Sequence, residues 1–447
     1  MADRKVKAVE KSSLTEDFGA KPVPVGQGKG WFGIGMVYWG SAMCLPSFFI
    51  AGLVAGPKTL GSSVVIYVVA SLVLGAISIL TGMLGAKTRL SSGLTARFTF
   101  GTIGAYVLQI LLFLALWGWF GVQLGFMVSG FGDGGLMLVL GKGLPAWLWT
   151  VIGGALITVT AMVGYKAIEK LSVFAMPLIV IILIVTIIRE YSGGQSFAQA
   201  AATTGPNAMP FGVAVSVLIG SYIIGAAVTP DVTRYAKSRG AAGWGMLFGM
   251  TGGFIVVLTL GAIMIKGAGG EFDFSKIMLK GGSVIWAILA VITIVLASWT
   301  TNDVNLYSGS LSLNAMFPKL NKLVITAISG VVGTVLAIIG INTAAGFQTF
   351  LGIVAILIPP AVAVMIADYY LFKGERNQGF DGDKVSAVPK FRVIPFVSWM
   401  VGAGFGFLVQ YAHVKFTTIM AIDTFVVSAV LYVVIMLIAK NRIKVSA

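Results

Sequence analysis

Six side chains capable of polar chemistry stand together in an otherwise apolar part of the chain. Ser298-Trp299-Thr300-Thr301-Asn302-Asp303 directly follows the stretch 284–297. Polar groups are costly in hydrocarbon, which offers them no hydrogen bonds, so they persist where they line a cavity, bind an ion or pair with one another. The neutral oxygens of Thr300 and Thr301 suit a small alkali cation, and Asp303 adds a charge beside them. The segment predicts a transporter.

The composition requires a lipid environment for most of the chain. Of its 447 residues, 57% are hydrophobic and only 11% are charged, whereas a soluble domain has about 25% charged residues. Apolar runs of roughly 20 residues recur, each long enough to cross a bilayer. The chain is therefore predicted to be an all-α polytopic membrane protein. Residues 1–29 have no apolar core of the kind found in a signal peptide.

We predict twelve transmembrane helices, called spans 1 to 12. They lie at 31–56, 60–84, 103–130, 145–164, 171–190, 209–229, 242–266, 282–302, 322–341, 345–371, 394–412 and 418–439. If the N-terminus is cytoplasmic, 24 of the 31 lysines and arginines fall on the cytoplasmic side. This bias predicts that both termini are cytoplasmic. It also explains the net charge of +15 by topology and attraction to the inner leaflet, without nucleic acid.

The first ten spans suggest two related halves, as in transporters built from inverted five-helix repeats. The predicted segments are a cytoplasmic tail (1–29), repeat 1 (30–190), repeat 2 (205–372), a cytoplasmic linker (373–393), spans 11 and 12 (394–440) and a C-terminal tail (441–447). Glycine, serine and proline interrupt span 1 at Gly40–Pro46 and span 6 at Gly220–Gly225, followed by Pro230. Such residues weaken helices, which favours broken helices there. They also permit close helix packing, so position alone leaves both interpretations open.

Candidate ligand-binding residues lie on spans 3 and 6. Trp119 and Gln123 are four residues apart and share one helix face. An indole beside a carboxamide suits a flat heteroaromatic ring, although aromatic packing near the membrane interface is an equal alternative. In span 6, Ser221 could read the edge of such a ring and Tyr222 could cover its face, while a packing role for Tyr222 is the simpler alternative.

The remaining candidates are acids. Asp231 precedes Arg234 by three residues, which indicates an ion pair or a gate, and Asp303 could carry a proton or pair with its polar neighbours. The sequence contains no Walker-type loop, nucleophile elbow or metal-ligand cluster. With one cysteine it can form no intramolecular disulfide. We therefore expect neither an enzyme nor a resident cofactor.

On these residues the chain resembles the nucleobase:cation symporter-1 family, on its cytosine permease branch. The resemblance is carried by Gly85-Ala86-Lys87-Thr88, Ala96-Arg97-Phe98, Trp119-Phe120-Gly121, Gly220-Ser221, Trp299-Thr300-Thr301-Asn302-Asp303, Ile358-Pro359-Pro360 and Ile366-Ala367-Asp368-Tyr369. It implies the inverted-repeat fold of the LeuT type, with spans 1 and 6 broken. It also implies that Trp119 and Tyr222 enclose a substrate, with Asn302 among the binding residues. Sodium would then be bound by the hydroxyls of Thr300 and Thr301 and by the carbonyls of Ala297, Gly40 and Met43.

Two positions depart from the cytosine permease pattern. Leu116 stands where those proteins have a glutamine three residues before the span 3 tryptophan, and Ala297 stands where they have an asparagine. Gln123 instead resembles the arrangement in hydantoin and purine-related members. The resemblance therefore leaves cytosine, purines, hydroxymethylpyrimidine, hydantoins and allantoin open as substrates.

The resulting expectation is a secondary active uptake transporter of the inner cell membrane that works by alternating access. Sodium is the expected coupling ion, and proton coupling through Asp303 is the alternative. A passive channel or facilitator and a membrane receptor are rivals from other classes. Beyond the small-molecule substrate and the lipid bilayer, no obligate partner is expected.

Overall fold

The chain folds as a bundle of helices. The computed structural model describes residues 21–24, 28–132, 144–163, 165–193, 196–271, 274–280, 283–317, 319–372, 380–412, 414 and 416–445. Most of the predicted N-terminal tail, the start of the linker and the last two residues lie outside these ranges. The described part of the chain has no strand longer than a single bridge, between Lys29 and Ala236.

In chain order the helices are as follows. They are α1 (Trp31–Ala42), α2 (Leu45–Ala55), α3 (Leu60–Thr88), α4 (Ser92–Phe100), α5 (Thr102–Gly132), α6 (Ala146–Val163), α7 (Tyr165–Ser192), α8 (Phe197–Ala202), α9 (Phe211–Ala227), α10 (Thr229–Thr233), α11 (Arg239–Met246), α12 (Gly253–Gly267), α13 (Phe274–Leu279), α14 (Val284–Met316), α15 (Lys322–Ile338), α16 (Ala344–Ala367), α17 (Val393–Tyr411) and α18 (Met420–Val445). A π-helical turn, Leu247–Gly252, joins α11 to α12, and another, Asp368–Phe372, extends α16.

Helices occupy all twelve positions predicted as spans. Among the described residues, nine helices are long and apolar enough to cross a membrane, or ten when α1 and α2 are counted as one bent span. The helices at predicted spans 4 and 9 are shorter, with apolar parts at 146–162 and 322–338. Large apolar side chains such as Phe174, Ile181 and Val331 face outward, as lipid-facing residues must. The protein is a multi-pass membrane protein, and the count of twelve crossings stays a prediction.

Span 1 is broken where the sequence predicts it. Helices α1 and α2 meet at an angle of 63°, and the two residues between them, Met43 and Cys44, leave the helical conformation. Pro46 lies in the first turn of α2. Proline suits a helix start, where no hydrogen bond needs its missing N–H, and would disrupt a helix interior. The local sequence therefore restarts the helix instead of continuing it.

The predicted break within span 6 is wrong in position. Helix α9 runs without interruption through Gly220–Gly225 and ends at Ala227. The backbone leaves the helix at Val228, with Pro230 in the first turn of α10. Glycine and serine weaken a helix without forcing it open, whereas a proline sets where the next turn begins. Residues 211–233 nevertheless count as one membrane-length helix, and among the described residues only α1 and α2 form a pair bent by more than 40°.

Short elements between the spans escaped the sequence prediction. Helix α4 begins at a hydroxyl cap, where Ser91 accepts a bond from the backbone N–H of Leu94 at 3.3 Å. Part of the predicted linker packs against the α4–α5 junction. The N–H groups of Thr102 and Ile103 donate to the carbonyls of Pro389 and Lys390 at 3.0 and 2.7 Å. The described part of that linker, 380–393, is thus docked on the bundle.

Candidate functional site

The two threonines of α14 face the break in span 1. The hydroxyl of Thr300 lies 3.1 Å from the carbonyl oxygen of Gly40, and that of Thr301 lies 3.0 Å from the carbonyl oxygen of Ser41. Both threonines are buried. The oxygens concerned belong to residues 260 positions apart in sequence, so tertiary packing of α14 against α1 assembles the group.

The carbonyl of Ala297 completes this group of oxygens. It lies 3.4 Å from the Thr300 hydroxyl and 3.2 Å from the Thr301 hydroxyl. Met43, a predicted ligand, is the first residue after α1. The α1 carbonyl that contacts Thr301 belongs to Ser41. Neutral carbonyl and hydroxyl oxygens at an unwound helix end are the ligands that transporters offer to sodium. The arrangement is therefore a candidate cation site.

A small cavity of about 40 Å³ lies beside the break. Its walls come from the α1–α2 break, α5, α9 and α14: Tyr38, Ser41, Cys44, Ser47, Ile50, Leu116, Trp119, Gln123, Ser221, Tyr222, Ile224, Gly225, Val228, Thr301, Val304 and Asn305. Four of the five predicted substrate-binding residues are in this wall, and Asn302 is not. Thr301 lies in the wall and also belongs to the candidate cation site. The two candidate sites thus share a side chain.

Trp119 and Trp117 have different surroundings although they are two positions apart on α5. Trp119 lines the cavity and packs edge-to-face on Phe347 and Phe350 of α16, with centroid distances of 5.8 and 5.5 Å. Trp117 packs on Phe113 of its own helix at 3.9 Å. The contacts with α16 hold the Trp119 indole in the cavity wall.

Tyr222 forms a second aromatic wall. Its ring stacks on Phe254 of α12, with centroids 5.2 Å apart and planes inclined by 21°. Its hydroxyl contacts the hydroxyl of Ser41, at the end of α1. Phe254 thus supports the Tyr222 ring, and the Tyr222 hydroxyl links it to the broken span.

Gln123 carries a buried polar atom without a bond. The residue is 1% exposed, and its Oε1 has no hydrogen-bond partner among the described residues. A buried carbonyl oxygen left unpaired costs about 1–3 kcal/mol. Because Gln123 lines the cavity, a ligand N–H placed there would pair with this oxygen.

Two asparagines of α14 form a short chain of hydrogen bonds that begins at the cavity wall. Asn305 lines the cavity and donates to the side-chain oxygen of Asn302 at 3.2 Å. Asn302 in turn donates to the carbonyl of Phe120, next to Trp119, at 3.3 Å. Sequence reasoning missed Asn305, although it is four residues after Thr301 and on the same helix face. It also missed Tyr38, which enters the cavity from α1.

Ser221 lines the cavity, with its own hydroxyl bonded to the carbonyl of Leu218 at 2.8 Å. The two candidate acids lie elsewhere. Asp231 accepts bonds from the backbone N–H and the hydroxyl of Ser92, at 2.8 and 2.9 Å, and so joins α10 to α4. Asp303 lies 2.7 Å from the hydroxyl of Thr160 on α6, away from the cavity wall.

Membrane-spanning helices around a broken first span, with a cavity of aromatic, aliphatic and a few polar side chains at the break, define a membrane transport protein. The family model described as "Permease for cytosine/purines, uracil, thiamine, allantoin" matches residues 24–381. The chain belongs to this permease family, and it is a transporter, not an enzyme.

Individual relatives agree with this assignment. The chain is 29% identical to the cytosine permease of Escherichia coli (strain K12) over 378 residues, which is 84% of this chain and 86% of that protein. It is 27% identical to the hydantoin permease of Microbacterium maritypicum over 303 residues, or 63% of this chain and 60% of that protein. Its fold is similar to that of Mhp1, a nucleobase-cation-symport-1 family transporter, in a closed conformation with bromovinylhydantoin bound. The TM-score is 0.82 at 21% identity, covering 95% of this chain and 96% of that one.

Proposed function

We propose that the protein is a cation-coupled uptake transporter for cytosine or a related planar heterocycle. The observation that best supports this proposal is that the break in span 1 borders both the candidate cation site and the substrate cavity. Its carbonyls of Gly40 and Ser41 contact the two threonines, and Ser41 and Cys44 line the cavity beside Trp119 and Gln123. A cation that orders the break would therefore also order the wall of the substrate cavity.

In this proposal the substrate ring lies between Trp119 and Tyr222. The free oxygen of Gln123 accepts an N–H from the ring or from an exocyclic amine, and Ser221 and Asn305 contact its edges. Asn302 does not line the cavity. It positions Asn305 instead, because its side-chain amide is bonded to Asn305 and to the backbone of α5. Since the cavity is about 40 Å³, side chains such as Tyr222 must move for a ring to enter.

The cation is proposed to be sodium, held by the hydroxyls of Thr300 and Thr301 and by the carbonyls of Ala297 and the span 1 break. Gly40 and Met43 are the predicted break ligands, and the position of the Ser41 carbonyl adds it to the set. We further propose the inverted-repeat architecture with twelve spans, cytoplasmic termini and alternating access in the inner membrane. Proton coupling remains the second candidate, because Asp303 is buried on the same helix.

Uptake into proteoliposomes tests the proposal. Labelled cytosine, hypoxanthine, hydantoin and allantoin are supplied with an inward sodium gradient, with an inward proton gradient, or with neither. Sodium-driven accumulation of one of them supports sodium symport, and proton-driven accumulation supports the second candidate. Equilibration without accumulation under every gradient would identify a passive facilitator and contradict both.

A further inference from the structure

Residues 21–24 and 28–30, here called the strap, lie across the end of the bundle at which α1 begins. Lys29 pairs with the turn between α10 and α11 in the manner of a short parallel strand. Its backbone N–H donates to the carbonyl of Tyr235 at 2.6 Å, and its carbonyl accepts from the N–H of Lys237 at 2.9 Å. The strap thus holds the turn that follows α10.

The strap also contacts the ends of two other helices. The backbone N–H of Val23 donates to the carbonyl of Arg89, the residue after α3, at 3.0 Å. The guanidinium of Arg89 in turn donates to the carbonyl of Pro24 at 2.5 Å. On α7, Oε2 of Glu169 lies 2.6 Å from Nζ of Lys29. One short segment therefore joins α1, α3, α7 and the turn between α10 and α11.

The turn held by the strap closes one end of the substrate cavity. Val228, which lines the cavity, directly precedes α10. Arg234, which directly follows α10, is fully buried and donates to the hydroxyls of Tyr307 on α14 and of Tyr235, at 3.0 and 3.2 Å. The wall of the cavity thus continues into a packed contact between α10 and α14, and the strap pairs with the residues next to that contact.

The contacts of the strap are weak enough to open while the bundle stays folded. They are mainly backbone hydrogen bonds and one ion pair, whose lysine and glutamate side chains are 34% and 16% exposed. Among the described residues of the strap only Val23 is buried. A pair this exposed changes an equilibrium by a factor of about five or less, and segments with few buried apolar contacts open before the core does.

We infer that the strap keeps the substrate cavity closed at this end, and that it is released before α10 and α14 separate. In the proposed topology this is the cytoplasmic end, so release of the strap precedes delivery of the substrate into the cell. The inference rests on the proposed function, because a cavity that delivers nothing at this end needs no release there.

Hydrogen–deuterium exchange of the full-length protein in lipid nanodiscs tests the inference at the backbone. A Cβ added at Gly28 would lie 2.6 Å from Cβ of Lys237 and 2.7 Å from its Cα, so Gly28→Ala should undock the strap and raise exchange at 229–238. Gly30→Ala is the matched control on the other side of Lys29. Its added Cβ has no described atom within 4 Å, so exchange should stay at the wild-type rate.

The ion pair provides a second, milder test. Lys29→Gln and Glu169→Gln should each raise exchange at 229–238 by up to about fivefold, and the swapped pair Lys29→Glu with Glu169→Lys should restore it. Lys170→Gln is the control for loss of a charge next to Glu169, because Lys170 is exposed and forms no ion pair with a described residue. It should leave exchange unchanged.

Two outcomes would overturn the inference. One is exchange at 229–238 that stays at the wild-type rate in both Gly28→Ala and Glu169→Gln. The other is an equal rise in α18, which takes part in none of these contacts, because that result would mean general destabilisation. Exchange is measured without substrate or sodium, so a failure of sodium-driven uptake would be distinguished from a failure of the strap.

Discussion

Trp117 and Trp119 allow a paired test at the scale of single residues. If Trp119 stacks on the substrate, Trp119→Ala should weaken binding by about 1–3 kcal/mol, the range for base–aromatic stacking. Trp117→Ala should weaken it less, because Trp117 packs on Phe113. Isothermal titration of both purified variants measures the two losses. Equal losses in variants that fold equally well would contradict stacking by Trp119.

Gln123 should determine which heterocycle is preferred. Gln123→Leu removes the oxygen that has no hydrogen-bond partner in the described parts of the chain and leaves a substrate N–H unpaired, at a cost of about 1–3 kcal/mol. We expect the variant to fold and to reorder its affinities for a panel of nucleobases. If the melting temperature falls while the order of affinities is unchanged, the amide serves the packing of α5 instead.

The threonines should control the response to sodium. Thr300→Val and Thr301→Val preserve the side-chain shape while deleting the oxygens that face Gly40 and Ser41. Each should raise the sodium concentration that gives half-maximal substrate binding. Thr293→Val, on the same helix with its hydroxyl bonded to Leu289, is the control. If substrate affinity in the wild type does not depend on sodium concentration but varies with pH, the sodium site is refuted.

The sequence alone could identify polar groups of the site that share a run or a helix face. Thr300, Thr301, Trp119 and Gln123 stand out because polar or aromatic side chains are conspicuous in apolar spans. The pairing of Thr301 with the Ser41 carbonyl could not be predicted, because a backbone oxygen is available at every residue and only packing selects one.

At the scale of helices, proline marks a break only in some spans. Pro46 follows the break in span 1, whereas Pro177, Pro359 and Pro360 lie inside continuous helices. The break before Pro46 was predicted. The predicted break at Gly220–Gly225 is wrong, because glycine and serine weaken a helix without forcing it open and α9 continues through them. The short helix α4 was missed because it follows Arg89, a non-glycine residue with φ of 59°. Left-handed conformations at such residues are uncommon and leave no clear pattern in the sequence.

The π-helical turn before α12 provides a test of helix packing. A Cβ added at Gly249 would collide with the backbone of Gly35 on α1, so Gly249→Ala should push α1 away. Overpacking of this kind costs about 1–3 kcal/mol, which should appear as a lower melting temperature. Gly252→Ala, in the same turn, places its Cβ at 3.5 Å from the nearest atom. It should be neutral or stabilising, and an equal loss in both variants would contradict the packing argument.

At the scale of the whole molecule, the shared break predicts reciprocal binding. If sodium and substrate both order the junction of α1 and α2, each must strengthen the binding of the other by the same factor. Titrating substrate at several sodium concentrations, and sodium at several substrate concentrations, measures both factors. Unequal factors would show that a further ion takes part, and a factor of one in both would contradict coupling through the break.

The single cysteine of the chain lies at this break. Cys44 is buried, lines the cavity and is the only thiol available to an alkylating reagent. A maleimide can therefore attach at one place only, and it reaches that place only while the cavity is open to the reagent. Mass spectrometry can follow the addition of one label per molecule. The rate of this labelling measures how much of the time the cavity is open to the reagent, and added substrate should slow it.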